Sequence, residues 1–246
     1  MYKGYQMQMS QRIKYFLSHL MSSIFIACLV LCLIFFIWYP APLAQAVGVN
    51  HIIFMLIGID IIIGPILSLI VYKQGKKTLI FDLTVIILLQ VSALTYGVYN
   101  IAQGRPAWIV YYKNSYELIR HSDVVVEPNT KVKSPWFGPE YAAVKLSRDP
   151  VKYDEELSIE LSGYSLAQFP ERYIDSKDTL GDMRKYGRPL SELQQFNSVQ
   201  QVKPILLRYP KAAYFFPLKA VAEDMTVLVD QNYHVIQIVN LRPWQE

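Results

Sequence analysis

Asp60 and Asp82 are the residues of the first half of the chain whose type and placement could support catalysis. They are the only acidic residues before Glu117, and each lies inside a long apolar segment. Two carboxylates that share one proton can activate a water molecule for hydrolysis. The pair therefore suggests a hydrolase that works inside a membrane, provided that the segments carrying the two residues bring them together.

Three apolar segments explain the scarcity of charge. They cover about residues 20–39, 51–72 and 79–101, and about 20 apolar residues in a helix span a bilayer core. We predict that residues 1–102 form an N-terminal tail and three transmembrane helices. A cleaved signal peptide, with residues 44–46 as its cleavage site, is an alternative for the first segment. Its apolar run is longer than the usual ~7–15 residues, and two more spans follow.

The basic residues predict the orientation. Cytoplasmic loops carry an excess of Lys and Arg, and here the basic residues flank the first span and fill the turn between the second and third: Lys3, Arg12, Lys14, Lys73, Lys76 and Lys77. We expect a multi-pass inner-membrane protein with a cytoplasmic N-terminus. Three crossings then put residues 103–246 in the periplasm.

This arrangement argues against hydrolysis by the two acids. Asp82 lies about one helical turn from the cytoplasmic end of its span, whereas Asp60 lies several turns from that side, so the two differ in depth. Intramembrane aspartyl proteases also place a glycine directly before one aspartate, where this chain has Ile59. We treat such a protease as the less favoured alternative.

Other catalytic or metal-binding patterns are missing from the sequence. The four histidines are scattered, with no HxH or HExxH, and there is no GxSxG motif or phosphate-binding loop. Cys28 and Cys32 lie inside the first apolar segment, where they are expected to act as small apolar residues. We therefore expect no enzyme activity, no cofactor and no metal.

The polar and small residues inside the spans form stripes along two helices. Asp60, Gly64 and Ser68 recur every four residues and share one helix face. The next span carries a similar stripe of Asp82, Ile86, Gln90, Ala93 and Gly97. Small residues let another helix approach closely, and a carboxylate within the membrane is expected to face protein. The stripes either hold the three spans together or form a groove for a partner's helix.

The part beyond the spans is predicted to be an α+β domain. Helices are expected over about 154–167 and 191–202, the latter stopped by Pro204, and strands over about 107–112, 116–119, 124–126, 140–146, 225–229 and 235–240. Trp136 and Phe137 lie in a proline-rich loop. They are either core residues or an exposed contact patch for a partner.

One region of the chain resembles a known family. Residues 58–71 (GIDIIIGPILSLIV) are similar to the second span of the type IV pilin accessory proteins TfpX and TfpZ. The likeness continues through Phe81-Asp82-Leu83, Gln90, residues 93–97 (ALTYG) and Arg105-Pro106, and covers about residues 50–112. The order of three spans and a C-terminal outer domain agrees as well.

The resemblance implies an inner-membrane accessory factor without catalytic residues. Such proteins act with the pilin subunit and favour its stability, its assembly into pili or the balance of extension and retraction. The expected partners are the membrane helix and outer head of the major type IV pilin, the surrounding lipid and, as a further candidate, the pilus assembly machinery, with no nucleic acid. A membrane-anchored sensor with a ligand-binding outer domain is the alternative, disfavoured because only a short tail and one turn are expected inside the cell.

Overall fold

A computed structural model of the 246-residue chain describes residues 10–126 and 132–245. The chain divides into two compact units, Met1–Ile34 with Val49–Ala102, and Phe35–Gly48 with Gln103–Glu246. Among these described residues, three helical stretches are long and apolar enough to cross a membrane: Gln11–Trp38, Asn50–Val71 and Leu79–Gln103. A domain of strands and helices follows them. The predicted class, three membrane helices followed by an α+β domain, is confirmed.

The first four helices are α1 (Gln11–Cys32), α2 (Leu43–Val47), α3 (Asn50–Val71) and α4 (Leu79–Gln103). In the first unit, α1 and α3 pack along each other. The Arg12 Nε donates a hydrogen bond of 2.6 Å to the Leu69 carbonyl, and the rings of Tyr15 and Tyr72 lie 5.5 Å apart. The buried residues of α3 follow one helix face: Ile53, Ile57, Asp60, Gly64, Pro65 and Ser68. By contrast, α4 leaves most of its surface open, because the residues it buries are Leu83, Ile101 and Ala102.

The second unit is built on a seven-stranded sheet. Its strands are β1 (Pro106–Tyr112), β2 (Ser115–Arg120), β3 (Glu140–Ala143), β4 (Arg188–Pro189), β5 (Tyr214–Lys219), β6 (Met225–Val229) and β7 (Val235–Val239). The strand order is β3-β1-β2-β5-β6-β7, and β4 pairs with β5. The helices of this unit are α5 (Pro150–Leu161), α6 (Leu180–Tyr186), α7 (Leu193–Phe196) and α8 (Val199–Arg208).

Strand β1 is the centre of the core, because all seven of its residues are buried. Ile109 and Tyr111 pack with Phe216 and Val227 on one face. Trp108 and Val110, which alternate with them, contribute to a second cluster. Side chains of neighbouring strand residues point to opposite faces, so a strand that is apolar at every position is buried on both sides.

The segment between the first two spans belongs to the core of the second unit. Leu43 and Ala46, on α2, are buried in the same cluster as Ile109 and Phe216. The carbonyl of Ala46 accepts hydrogen bonds from the backbone N–H groups of Ala222 (3.0 Å) and its neighbour. The absence of charge from residues 40–50 therefore reflects burial in the folded domain.

Two of the predicted local elements were wrong. Residues 124–126 do not form a strand; the Val125 N–H instead donates to the Gln168 carbonyl at 2.8 Å. The single helix predicted over 191–202 is two helices, because a capping box at Ser198 begins α8. Pro204 is the sixth of the ten residues of α8; it lacks the N–H that would bond to a carbonyl one turn earlier, yet the helix continues to Arg208.

Candidate functional site

Asp60 is the buried acidic residue of the membrane helices. It lies in α3 with only 5% of its surface exposed. Within the described part of the chain, its carboxyl group makes no hydrogen bond or ion pair; its backbone carbonyl does accept one. Inserting an aspartate at the centre of a membrane helix costs about 2.5–3.5 kcal/mol, and such a residue is normally paired or hydrated. Asp60 therefore retains unused capacity for polar contacts.

Gln90 joins the three membrane helices through its amide. Its Nε2 donates to the Asp60 carbonyl of α3 at 2.9 Å and to the Ser23 Oγ of α1 at 3.0 Å. Its Oε1 lies 3.0 Å from the Nε2 of His19, also on α1. One side chain of α4 therefore contacts both other helices, through polar groups that have no water to bind in the bilayer core.

Gly64 and Gly97 are used by contacts within the chain. A Cβ on Gly64 would lie 1.9 Å from the Gln90 Oε1, and a Cβ on Gly97 would lie 2.4 Å from the Leu56 Cδ1. The two glycines thus leave room for side chains that reach across from the facing helix, Gln90 of α4 and Leu56 of α3. This part of the predicted stripes holds the protein's own helices together.

A groove remains open between α3 and α4. It has a volume of about 200 Å³, and we call it the α3–α4 groove. Its mouth carries exposed apolar side chains, among them Ile63 (48% exposed) and Leu89 (67% exposed). Asp60, Gly64, Gln90 and Ala93, four of the predicted site residues, all line it.

A second groove, of about 250 Å³, lies between α1 and α4. We call it the α1–α4 groove; Asp60 and Gln90 line it as well, so the two grooves share a polar boundary. Its other polar residues come from α1 and were missed by the sequence reasoning: Tyr15, Ser18, His19, Ser22 and Ser23. Their spacing of three or four residues in an apolar segment was the signal that could have identified them.

Two predicted site residues have other surroundings. Asp82 lies near the start of α4, where its carboxylate pairs with the Lys76 Nζ at 2.6 Å and accepts a hydrogen bond from the Thr78 hydroxyl at 3.0 Å. The Ser68 hydroxyl is buried and donates to the Pro65 carbonyl at 2.7 Å. Neither residue lines the two grooves.

The two acids are also separated in depth. Asp60 is about 11 residues, or ~17 Å, from the end of α3, whereas Asp82 is about three residues, or ~5 Å, from the start of α4. Among the residues that the structure describes, no group of three His, Cys, Asp or Glu side chains is placed to hold a metal ion.

Trp136 and Phe137 lie in the second unit and are 58% and 87% exposed. The guanidinium of Arg105 lies over the Trp136 ring, 4.3 Å from its centroid. Nearby, the Nδ1 of His121 lies 2.7 Å from the Ser134 hydroxyl. Burial lowers the pKa of His121, and the charge of Arg105 lowers it further. Because more than half of each side chain is exposed, Trp136 and Phe137 form a surface feature and are not part of the core.

Comparisons with known proteins agree on one family. The sequence model of the fimbrial assembly protein FimB matches residues 7–48, the stretch from α1 to α2. The fimbrial assembly protein of serogroup I from Dichelobacter nodosus is 29% identical over 237 residues, which cover 91% of this chain and 92% of that protein. The protein of serogroups C1 and C2 from the same organism is 36% identical over 111 residues, 44% of this chain and 85% of that protein. No solved structure matches the chain.

Proposed function

This chain belongs to the FimB family of fimbrial assembly proteins, and from that premise we propose that it binds type IV pilin in the inner membrane as a chaperone-like accessory factor. Family membership gives the chain a role in pilus biogenesis. The finer proposal is that it holds the pilin subunit and thereby favours its stability, its assembly or the balance between extension and retraction.

The single observation that carries this proposal is the Asp60 side chain at the boundary of two open grooves, with a carboxyl group that makes no hydrogen bond or ion pair to the described residues. The α3–α4 groove is lined by apolar side chains except at Asp60 and Gln90. A transmembrane helix presents the same pattern: an apolar surface with an occasional polar group that needs a partner. A helix lying in the groove would cover Ile63 and Leu89 and could donate a hydrogen bond to Asp60.

Pilin suits this groove because a type IV pilin waits in the membrane on one apolar helix and carries its head outside. A factor that covers part of the helix would replace lipid contacts with protein contacts and keep the subunit available for assembly. We place the N-terminus and the 73–77 turn in the cytoplasm and the second unit in the periplasm, because the basic residues of this part of the chain flank α1 and fill that turn.

Ala93 is the position at which a substitution can fill the groove. Ala93 is exposed and lines the groove, whereas Ser92, its exposed neighbour, lines neither groove. We expect Ala93→Leu to reduce co-purification of pilin and surface piliation by about tenfold or more, because a helix contact depends on close packing. Ser92→Leu adds a side chain of the same size on another face, and both measurements should stay at the wild-type level.

The outcome distinguishes the proposal from its alternatives, provided that each variant accumulates normally. If Ala93→Leu binds pilin as the wild type does, the groove is not the pilin site. Asp60→Asn keeps the shape but cannot act as a general base, so weaker binding of pilin of unchanged length supports a binding role. Pilin processing that requires both Asp60 and Asp82 would instead establish a protease.

A further inference from the structure

The most exposed aromatic residue of the second unit lies in a short, well-held loop. The loop comprises residues 135–139 (PWFGP), and we call it the aromatic loop. Phe137 is 87% exposed and Trp136 is 58% exposed. Two large apolar side chains side by side on a surface indicate a contact with another apolar phase more often than isolated ones do.

The loop is fixed by polar contacts within the second unit. The Arg105 Nε donates to the Pro135 carbonyl at 3.3 Å, and its guanidinium covers one face of Trp136 at 4.3 Å. Gly138 adopts a left-handed φ of +76°, and a Cβ there would lie 3.6 Å from the Ile37 carbonyl. The exposure of Phe137 is therefore a property of a defined loop conformation.

The contacts of Trp136 connect the loop to residues at or next to the ends of two candidate spans. The rings of Trp136 and Trp38 lie 6.1 Å apart, and Trp38 is the last residue of the first candidate span. Arg105 follows the end of the third span by about two residues. The chain has crossed the membrane once when it reaches Trp38 and three times when it reaches Arg105. Because both numbers are odd, the two residues lie on the same side of the membrane. Trp136 contacts both.

From this geometry we propose that the aromatic loop inserts into the boundary between lipid headgroups and acyl chains. Trp is enriched at that boundary because its ring combines an apolar body with a polar N–H. Arg can keep its charge among the headgroups while its stem lies against apolar groups. Phe137 extends into the acyl chains beside Phe36, another residue of the second unit, which lies near the end of the first span and is 81% exposed.

The consequence is a further membrane contact besides the three spans. It would fix the depth and tilt of the second unit against the bilayer surface on whichever side that unit lies. The proposal does not depend on the pilin hypothesis, and it assigns Trp136 and Phe137 to lipid where the sequence made them candidates for contact with a protein partner.

The test is the depth of a spin label on the loop in the full-length protein. Cys28→Ser and Cys32→Ser remove the native thiols, and Phe137→Cys carries a nitroxide. A matched site is Leu161→Cys, because Leu161 is 81% exposed. Glu160, the residue before Leu161, accepts a hydrogen bond of 2.5 Å from the hydroxyl of Tyr112, the last residue of β1. Leu161 therefore lies near the end of β1, about 20 Å from the start of that strand, which follows the third span.

Both proteins are reconstituted in vesicles of phosphatidylethanolamine and phosphatidylglycerol, and relaxation by oxygen and by a water-soluble nickel chelate is measured. Oxygen concentrates in lipid and the chelate in water. We expect the oxygen-to-chelate ratio at Phe137 to exceed that at Leu161 several-fold. Equal ratios at the two sites would overturn the proposal. So would a Phe137 label that is aqueous in these vesicles and becomes protected only when pilin is reconstituted with the protein.

Discussion

The hydrogen bonds of Gln90 allow a quantitative test of how the membrane helices are held together. Gln90→Met keeps the length of the side chain and removes its bonds to Ser23, to the Asp60 carbonyl and to His19. Side-chain hydrogen bonds between membrane helices contribute about 0.6 kcal/mol each on average. We therefore expect α4 to be held about 2 kcal/mol less tightly in this variant.

The close approach of Gly64 turns this expectation into a double-mutant cycle. In the wild type, a Cβ on Gly64 would lie 1.9 Å from the Gln90 Oε1, so Gly64→Ala must displace the amide and lose the same bonds, again about 2 kcal/mol. In a Gln90→Ala background the amide is absent, so the methyl group added at position 64 occupies the space that the amide has left. There Gly64→Ala should be neutral or mildly favourable, because Ala is the better helix former by about 1 kcal/mol.

The opening of α4 can be followed by alkylation of a buried thiol. Leu83 is a buried residue of α4, 8% exposed, and Leu83→Cys is introduced after Cys28 and Cys32 have been replaced by serine. Reaction with a membrane-permeant maleimide then reports the fraction of time that α4 is detached. A loss of 2 kcal/mol corresponds to alkylation faster by roughly 30-fold.

Two outcomes would refute this reasoning. Gln90→Met could be alkylated at the wild-type rate, which would mean that the three bonds contribute nothing to holding α4. Alternatively, Gly64→Ala could accelerate alkylation equally in the wild type and in Gln90→Ala. Independent sites give additive changes, so that result would show that Gly64 and Gln90 do not meet.

Three further predictions concern the second unit. Gly48→Ala should lower the melting temperature of this unit by several degrees, a loss of about 2 kcal/mol, because φ is +78° and the new methyl group would lie 2.7 Å from the Ala222 Cβ. Gly163→Ala is the control: its φ is also positive, but no atom lies near the new methyl group, so the loss should be smaller. Burial, and to a lesser extent the charge of Arg105, lower the pKa of His121 below 6.5, so the folded state binds a proton at this residue less readily than the unfolded state does. The free energy of unfolding, measured by unfolding titrations, should therefore fall as the pH drops below 6.5. His121→Gln should lack this contribution. A reporter active only in the periplasm, fused to the C-terminus, should be active.

Much of the architecture follows from patterns that depend on one helix or strand at a time. Spans of about 20 apolar residues and the short apolar runs that form β6 and β7 are local signals, and both predictions agree with the structure. The helix that ends near Leu161 and the break at Ser198 depend on capping groups, so their bounds were less well predicted. Element ends are decided by such single hydrogen bonds.

The candidate site was only partly predictable, because it is formed by side chains of different helices. Asp60, Gly64 and Gln90 share the stripe spacing, and the structure brings them together. The same spacing rule marks His19 and Ser23 as sharing a face of α1, but it does not say that this face meets Gln90 of α4.

Two other features depended on contacts that the periodicity of one helix does not encode. Asp82 satisfies the spacing of its stripe, yet a lysine of the preceding turn binds its carboxylate, and helical periodicity does not account for such a pair. The burial of α2 in the second unit depends on partners that follow it by more than 60 residues, such as Ile109 and Phe216. Apolar composition predicted that this segment avoids water and could not specify which surface it would pack against.

The most direct test of the central claim is photo-crosslinking from two adjacent isoleucines of α3. Ile63 lines the α3–α4 groove and is 48% exposed, whereas Ile62 lines neither groove and is 56% exposed. A benzophenone amino acid is placed at either position in cells that make pilin, and the products are identified after illumination. We expect a product with pilin from position 63 and none from position 62. Pilin captured equally from both positions, or from neither while the protein accumulates, would contradict the central claim.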